Sequence, residues 1–197
     1  MMKKILTGVA AFIFLGVAVT AFGLSDVYEK NVYDAGSLKP VDSVLKVRVG
    51  DKAPDFSLPS IDGKTVTLSD FRGKKNVVLS FVPAAWTPVC SDQWPGYNFA
   101  RKIFESRDAV LLGISVDNVP TLFAWTNQMG DLWFPVLSDF WPHGAVADRY
   151  GVLRSSGVAE RAIFIIDKKG VIRYIDVHDI NVRPPLESIV KALDGLQ

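Results

Sequence analysis

Hydrophobic positions change their spacing repeatedly along this chain, and each change marks a predicted element. The run "KNVVLSFV" (75–82) is continuous in β-branched and apolar residues, which predicts a strand covered on both faces. "DAVLLGISV" (108–116) predicts a second strand of the same kind. Between them, Trp94, Tyr97, Phe99, Ile103 and Phe104 recur at mixed helical spacing. They predict a helix that begins near Cys90 and is kinked or restarted at Pro95, because proline lacks the N–H donor and crowds the preceding turn. "NVPTLFAWTNQM" (118–129) reads as a helix with Pro120 in its first turn. A short strand follows in "WFPVLSD" (133–139), then a short helix in "GAVADRYG" (144–151) closed by Gly151. "RAIFIID" (161–167) and "VIRYIDV" (171–177) form a strand pair about a Lys168 to Gly170 turn. "PPLESIVKALDGL" (184–196) is an amphipathic closing helix. Upstream, "SIDGKTVTLSD" (60–70) carries the turn signal Asp62-Gly63 between short extended runs and predicts a small hairpin.

The order is therefore β, α, β, α and then β, β, α. That is the order of a thioredoxin-like α/β fold, a central mixed sheet with helices on both faces, here placed over residues 47–197. Two segments precede it. Lys3 and Lys4 are followed by an uncharged apolar run from Ile5 to Leu24, so residues 1–24 are expected to be a signal peptide or membrane anchor. This implies an exported protein, periplasmic or otherwise extracytoplasmic, tethered to the membrane if the segment is not cleaved. Residues 25–46 are mixed and polar and read as a linker or loosely packed arm.

Composition narrows the function. The chain of 197 residues has 22 basic and 21 acidic side chains without a long charged block, which makes nucleic acid a poor partner. Its single cysteine, Cys90, rules out a disulfide within the chain and a cysteine-only zinc site. His143 and His178 stand far from Cys90 in sequence and carry no signal, so neither a metal nor another cofactor is expected.

A lone cysteine is ordinarily a small core hydrophobe. The stretch "FVPAAWTPVCSDQWPGY" (81–97) argues otherwise, because it places Cys90 where a buried strand gives way to a helix. Free N–H groups and the positive end of the dipole at such a helix start favour the thiolate, the nucleophilic form. Thr87, three residues before, can turn its hydroxyl toward the sulfur.

Pro83, Thr87 and Cys90 fit Pro-x-x-x-Thr-x-x-Cys, which resembles the active-site loop of the peroxiredoxins, the alkyl hydroperoxide reductase and thiol-specific antioxidant family. The segments 49–83, "FPVLSD" (134–139), "YGVL" (150–153) and "RAIFIIDKKGVIRY" (161–174) are each similar to that family in the right order. The resemblance spans about residues 47–195. It implies a thiol-dependent peroxidase in which Cys90 attacks a hydroperoxide, hydrogen peroxide or organic, and becomes a sulfenic acid. It implies that Thr87 hydrogen-bonds thiolate and peroxide, and that Pro83 stiffens the loop and shields the sulfur from water. Arg161 would stabilise negative charge on sulfur and oxygen, with Arg149 or Arg154 as alternatives. The Val89 and Cys90 N–H groups would assist, and Trp86 and Trp94 would shape access. Trp125 and Trp133 read better as core than as pocket walls. Gln93 sits one turn after Cys90, where many relatives have an acid.

With no second cysteine the implied mechanism is of one-cysteine type, so the sulfenic acid needs an external thiol or a redoxin partner. A homodimer is implied by the family alone. Two rivals stand beside this reading. A thioredoxin-like disulfide reductase requires Cys-x-x-Cys, and Thr87 occupies the first position of that pair. A redox sensor or binding module without significant turnover would use Cys90 for mixed disulfides instead.

Overall fold

The computed structural model describes residues 26–196; the expected signal peptide or anchor over 1–24 lies outside them. The core is a five-stranded sheet in the order β5-β4-β3-β6-β7. Its strands are β3 (Asn76–Phe81), β4 (Ala109–Ser115), β5 (Val136–Ser138), β6 (Arg161–Ile166) and β7 (Ile172–His178). β3, β4 and β5 run parallel, while β6 is antiparallel to both β3 and β7. A separate two-stranded hairpin pairs β1 (Ser57–Pro59) with β2 (Thr65–Thr67) around the predicted turn.

Every residue of β3 and β6 is buried, as the unbroken apolar runs require. Alternate residues feed two separate cores. Val77, Leu79 and Phe81 pack with Phe164, Val146 and Tyr150 beneath the short helix α5 (Ala145–Tyr150) and the hairpin. Val78 and Val82 pack with Ile163 and Ile165 on the opposite face, under α2 (Pro88–Phe99), α3 (Arg101–Glu105), α4 (Val119–Met129) and α6 (Leu186–Asp194). Each fully buried aliphatic or phenyl side chain of this kind contributes about 1.5–3 kcal/mol. On the second face Trp94 lies directly on β4: a Cβ at Gly113 would meet its ring at 2.8 Å. A glycine in the strand makes room for the indole.

The helix after β3 begins near Cys90 as expected, but it is not restarted at Pro95. It starts at Pro88, with Cys90 already in its first turn, and it runs through Pro95 to Phe99 before breaking at Ala100 and resuming at Arg101. Pro95 removes one backbone donor, but Trp94 and Tyr97 on either side are buried against the sheet and hold the two halves in line.

Residues 26–46 are not a loose tether. A short helix α1 (Asp26–Asn31) buries Tyr28 completely. Further on, the Tyr33 N–H donates to the Trp86 carbonyl (2.6 Å), and the Ile180 N–H donates to the Pro40 carbonyl (3.1 Å). Asn181 clamps Leu38 twice, accepting from its N–H and donating to its carbonyl, both at 2.8 Å. The buried ion pair of Arg154 with Glu160 (2.5 Å) serves the same seam, since Glu160 accepts the Asp42 N–H and Arg154 donates to the Lys39 carbonyl. Gly151 ends α5 with φ 75°, and a Cβ there would stand 2.2 Å from the Lys46 nitrogen, so only glycine lets the arm pass this close.

At the far end of the strands, Asp108 pairs with Lys168 in the β6–β7 turn and with Lys75 just before β3 (2.5 Å). Those two lysines, Lys168 first, hold the Asp108 carboxyl down to about 2. A depressed native value means stability that is present above the ordinary carboxylate range and lost as pH falls toward the native value. Chemical denaturation of wild type and Asp108→Asn should therefore show a stability gap at pH 6 that closes by pH 2; a gap that is constant with pH would contradict this pairing.

Candidate active site

The site forms where β3 ends. Phe81 closes the strand, the chain turns through Val82 to Trp86, and Pro88 opens α2 with Thr87 as its N-cap. Trp86 has φ 61°, a left-handed conformation rare for a bulky side chain and costly by about 1–2 kcal/mol. The loop is held in this shape from two sides. The Asp117 carboxylate, just past β4, accepts the Ala85 N–H (2.8 Å) and the Ser115 hydroxyl (2.5 Å), and the Trp86 carbonyl is bonded to the arm.

Cys90 is completely buried in the first turn of α2. The Val89 and Cys90 N–H groups fall in the stretch of a helix that has no intrahelical acceptor, so they present positive charge to the same region. Arg161, the first residue of β6, is also buried and aims its guanidinium across at the helix. Its Nη2 donates to the Cys90 Sγ at 3.4 Å, its Nη1 to the Gln93 Oε1 at 2.5 Å, and its Nε to the Ile180 carbonyl at 3.0 Å. Of these three partners only the sulfur can carry a negative charge. A buried guanidinium in that position attracts negative charge on any oxygen that approaches it.

Gln93 is the residue that fixes this geometry. While its carbonyl holds Arg161, its amide donates to the Ser80 hydroxyl (3.1 Å) and to the Tyr97 hydroxyl (3.4 Å). Ser80 in turn accepts from the Trp94 indole (3.2 Å). Burial pushes the Tyr97 phenol above its ordinary value, against the pull of Gln93 and Arg161, so it stays neutral. Next to this chain, Tyr28 from the arm takes the Trp125 indole N–H at 3.0 Å. Burial raises its phenol as well, with nearby Cys90 adding to the shift in the same direction.

A cleft of about 400 Å³ reaches this cluster from outside, bounded by Pro83, Thr87, Pro88, Val89 and Arg161 on one side and by residues 34–38 with Ile180 and Asn181 on the other. Arg161, Thr87, Pro83 and Val89 thus line the cleft as expected from sequence, and Cys90, buried behind it, joins them through its contact with Arg161. Trp86 does not: its ring packs 6.0 Å from Tyr28, under the arm and away from the cleft. The Thr87 hydroxyl is 2.9 Å from the Ala84 carbonyl and gives that carbonyl its only proton, so it has none left for the sulfur in this conformation. It can accept from a substrate, or donate after rotating. Arg149 and Arg154 are engaged elsewhere, with the Asp55 carbonyl and with Glu160. Trp125 is core, and the half-buried Trp133 is bonded to the Tyr97 carbonyl.

Sequence reasoning passed over Ser80, Asp117 and the arm. A polar residue inside "KNVVLSFV" and an acid directly after "DAVLLGISV" were the available signals for the first two. Nothing in residues 34–38 announced that they would wall the site.

This fold is that of a peroxiredoxin, a thiol-dependent peroxidase. The chain belongs to the AhpC/TSA family, whose model matches residues 49–175. It is 42% identical over 132 residues to alkyl hydroperoxide reductase E of Mycobacterium tuberculosis, covering 66% of this chain and 86% of the relative. It is 33% identical over 162 residues to a chloroplastic 2-cysteine peroxiredoxin of Chattonella marina var. antiqua, covering 78% of this chain and 82% of that one. Among solved structures, Mycobacterium tuberculosis AhpC superposes with a TM-score of 0.69 at 30% identity, covering 77% of this chain and 98% of the other.

Because Gln93 joins Arg161 to the sheet, Gln93→Leu should slow the reaction of Cys90 with peroxide by about tenfold or more, in line with losing a hydrogen bond to a charged group. Stopped-flow oxidation rates measure it; an unchanged rate in a folded variant would mean Arg161 is held without Gln93.

Proposed function

We propose that the chain reduces hydroperoxides through a sulfenic acid at Cys90 and is restored by an external thiol. The observation that carries this is the 3.4 Å contact between the Arg161 guanidinium and the Cys90 sulfur at the start of a helix. In the first step the thiolate attacks the terminal oxygen of the hydroperoxide. An S–O bond forms, the O–O bond breaks, and two electrons pass from sulfur to oxygen. The leaving oxygen takes a proton and departs as an alcohol, or as water when the substrate is hydrogen peroxide. Arg161 stabilises the charge that moves from sulfur to oxygen, and Thr87 and the N–H groups of Val89 and Cys90 orient the peroxide.

Cys90 is the chain's only cysteine, which supports a one-cysteine cycle. A thiol attacks the sulfenic sulfur and expels water, leaving a mixed disulfide. A second thiol, or the second sulfur of a redoxin, then displaces Cys90 and departs as the oxidised disulfide. Intact mass after one equivalent of peroxide should show one added oxygen, replaced by a thiol adduct when a donor is present and absent from Cys90→Ser. Arg161→Ala should slow the oxidation about 100-fold or more, as removal of a charge-stabilising donor does elsewhere. Oxidation without turnover by any small thiol or redoxin would leave a sensor rather than a peroxidase.

We also propose that the chain works outside the cytoplasm, on the support of Lys3, Lys4 and the uncharged run from Ile5 to Leu24. Residues 1–46 fused to a reporter active only after export should give signal, and Lys3→Glu with Lys4→Glu should reduce it. A silent fusion that is expressed in the cytoplasm would refute the assignment.

A further inference from the structure

The arm before the family-matched residues supplies a wall of the active-site cleft, and this wall has a chemical character of its own. Hydrogen peroxide is two oxygen atoms and needs little more than the roughly 30 Å³ that each liquid water occupies. The cleft beside Arg161 is about 400 Å³, several times larger than that, and within the range of sites that hold small organic ligands. Besides Arg161 and Thr87, its lining is largely apolar: Ala35 and Leu38 come from the arm, and Pro88, Val89 and Ile180 from the domain.

We infer that this arm-built half of the cleft is a subsite for the hydrocarbon part of an organic hydroperoxide, and that Leu38 and Asn181 determine which substrates it accepts. The inference rests on the peroxidase reading above and names the residues that select among the hydroperoxides that reading covers. With the oxygens at Arg161 and Thr87, an alkyl or aryl tail extends between Leu38 and Val89. Arg161 and Asp34 are the ionisable residues in the cleft lining, and the acid on the arm disfavours a tail bearing a carboxylate.

The wall is firmly built. Asn181 holds both backbone groups of Leu38 at 2.8 Å, which fixes the register of the arm across the cleft. One residue earlier, a single residue joins the wall to the reacting centre: Ile180 donates its N–H to the Pro40 carbonyl and offers its own carbonyl to the Arg161 Nε. Position of the tail-binding wall and position of the guanidinium are thereby coupled through Ile180. Asn181 is a positioning residue here, acting through the arm, while Leu38 touches the tail.

The test compares oxidation rates of Cys90 by cumene hydroperoxide and by hydrogen peroxide in the full chain, as a ratio. Wild type should react with both. Leu38→Trp, which fills the subsite from an exposed position on the arm, should lower the cumene-to-hydrogen-peroxide ratio by about tenfold or more, the discrimination that one apolar pocket contact supports. Asn181→Ala, which releases the clamp, should lower the same ratio without adding bulk. A loss of structure or of the charged centre would reduce both rates in parallel and leave the ratio in place, so the ratio isolates the subsite. Ratios within about twofold of wild type in both variants would overturn the inference, as would a wild type that reacts with hydrogen peroxide and not with cumene hydroperoxide. A wild type inert to both would remove the peroxidase reading first and the subsite with it.

Discussion

An almost wholly buried guanidinium constrains the rest of this molecule. Burying a charge is costly unless every donor finds an acceptor, and Arg161 is 2% exposed. The protein meets that cost with a backbone carbonyl, a glutamine amide and a thiol sulfur, each from a different part of the chain. β6 must therefore lie beside β3, α2 must start above it, and the segment after β7 must return across it. Misplacing any one would strand a buried cation. The same arrangement leaves the cation without a carboxylate among these partners, which is the feature the proposed chemistry at the sulfur relies on.

Behind Cys90 and Arg161 lies a layer of polar groups that aligns them. Ser80 interrupts an apolar strand to receive the Gln93 amide and the Trp94 indole. Asp117 stands at the end of the neighbouring strand to hold the loop that precedes the cysteine. Both sit at carboxyl ends of parallel strands, where open α/β sheets present their functional loops. Gln93 as an amide supports Arg161 without neutralising it, which leaves the guanidinium's charge directed at the sulfur.

The arm adds a second layer of control. It is stitched to the domain by bonds to Trp86, Asn181, Ile180 and Glu160, and Gly151 is the concession in the domain that lets it lie so close. A site otherwise open on that side acquires a wall, and outside the cleft the arm's Tyr28 packs against the Trp86 ring. The cleft beside Arg161 is thus framed in part by residues outside the family-matched region.

Much of the architecture was legible in order. Continuous β-branched and apolar runs at 75–82 and 108–116 are short enough to read as strands buried on both faces, and the turn residues Asp62-Gly63 and Gly151 act locally, so they read correctly. The cysteine, threonine and proline were legible because they sit on one short loop. Helix boundaries were less so: the continuation through Pro95 depends on Trp94 and Tyr97 being pinned by the sheet, a packing effect that overrides proline's local preference. Tertiary structure alone decided the direction of the Thr87 proton, the turning of Trp86 away from the cleft, and the approach of Arg161 to a residue 71 positions earlier in the chain. It alone made a wall of residues 34–38. Local propensity and periodicity are properties of neighbouring residues and survive in sequence; hydrogen-bond partners across the fold depend on which surfaces meet, and that is settled only when the sheet and its helices pack.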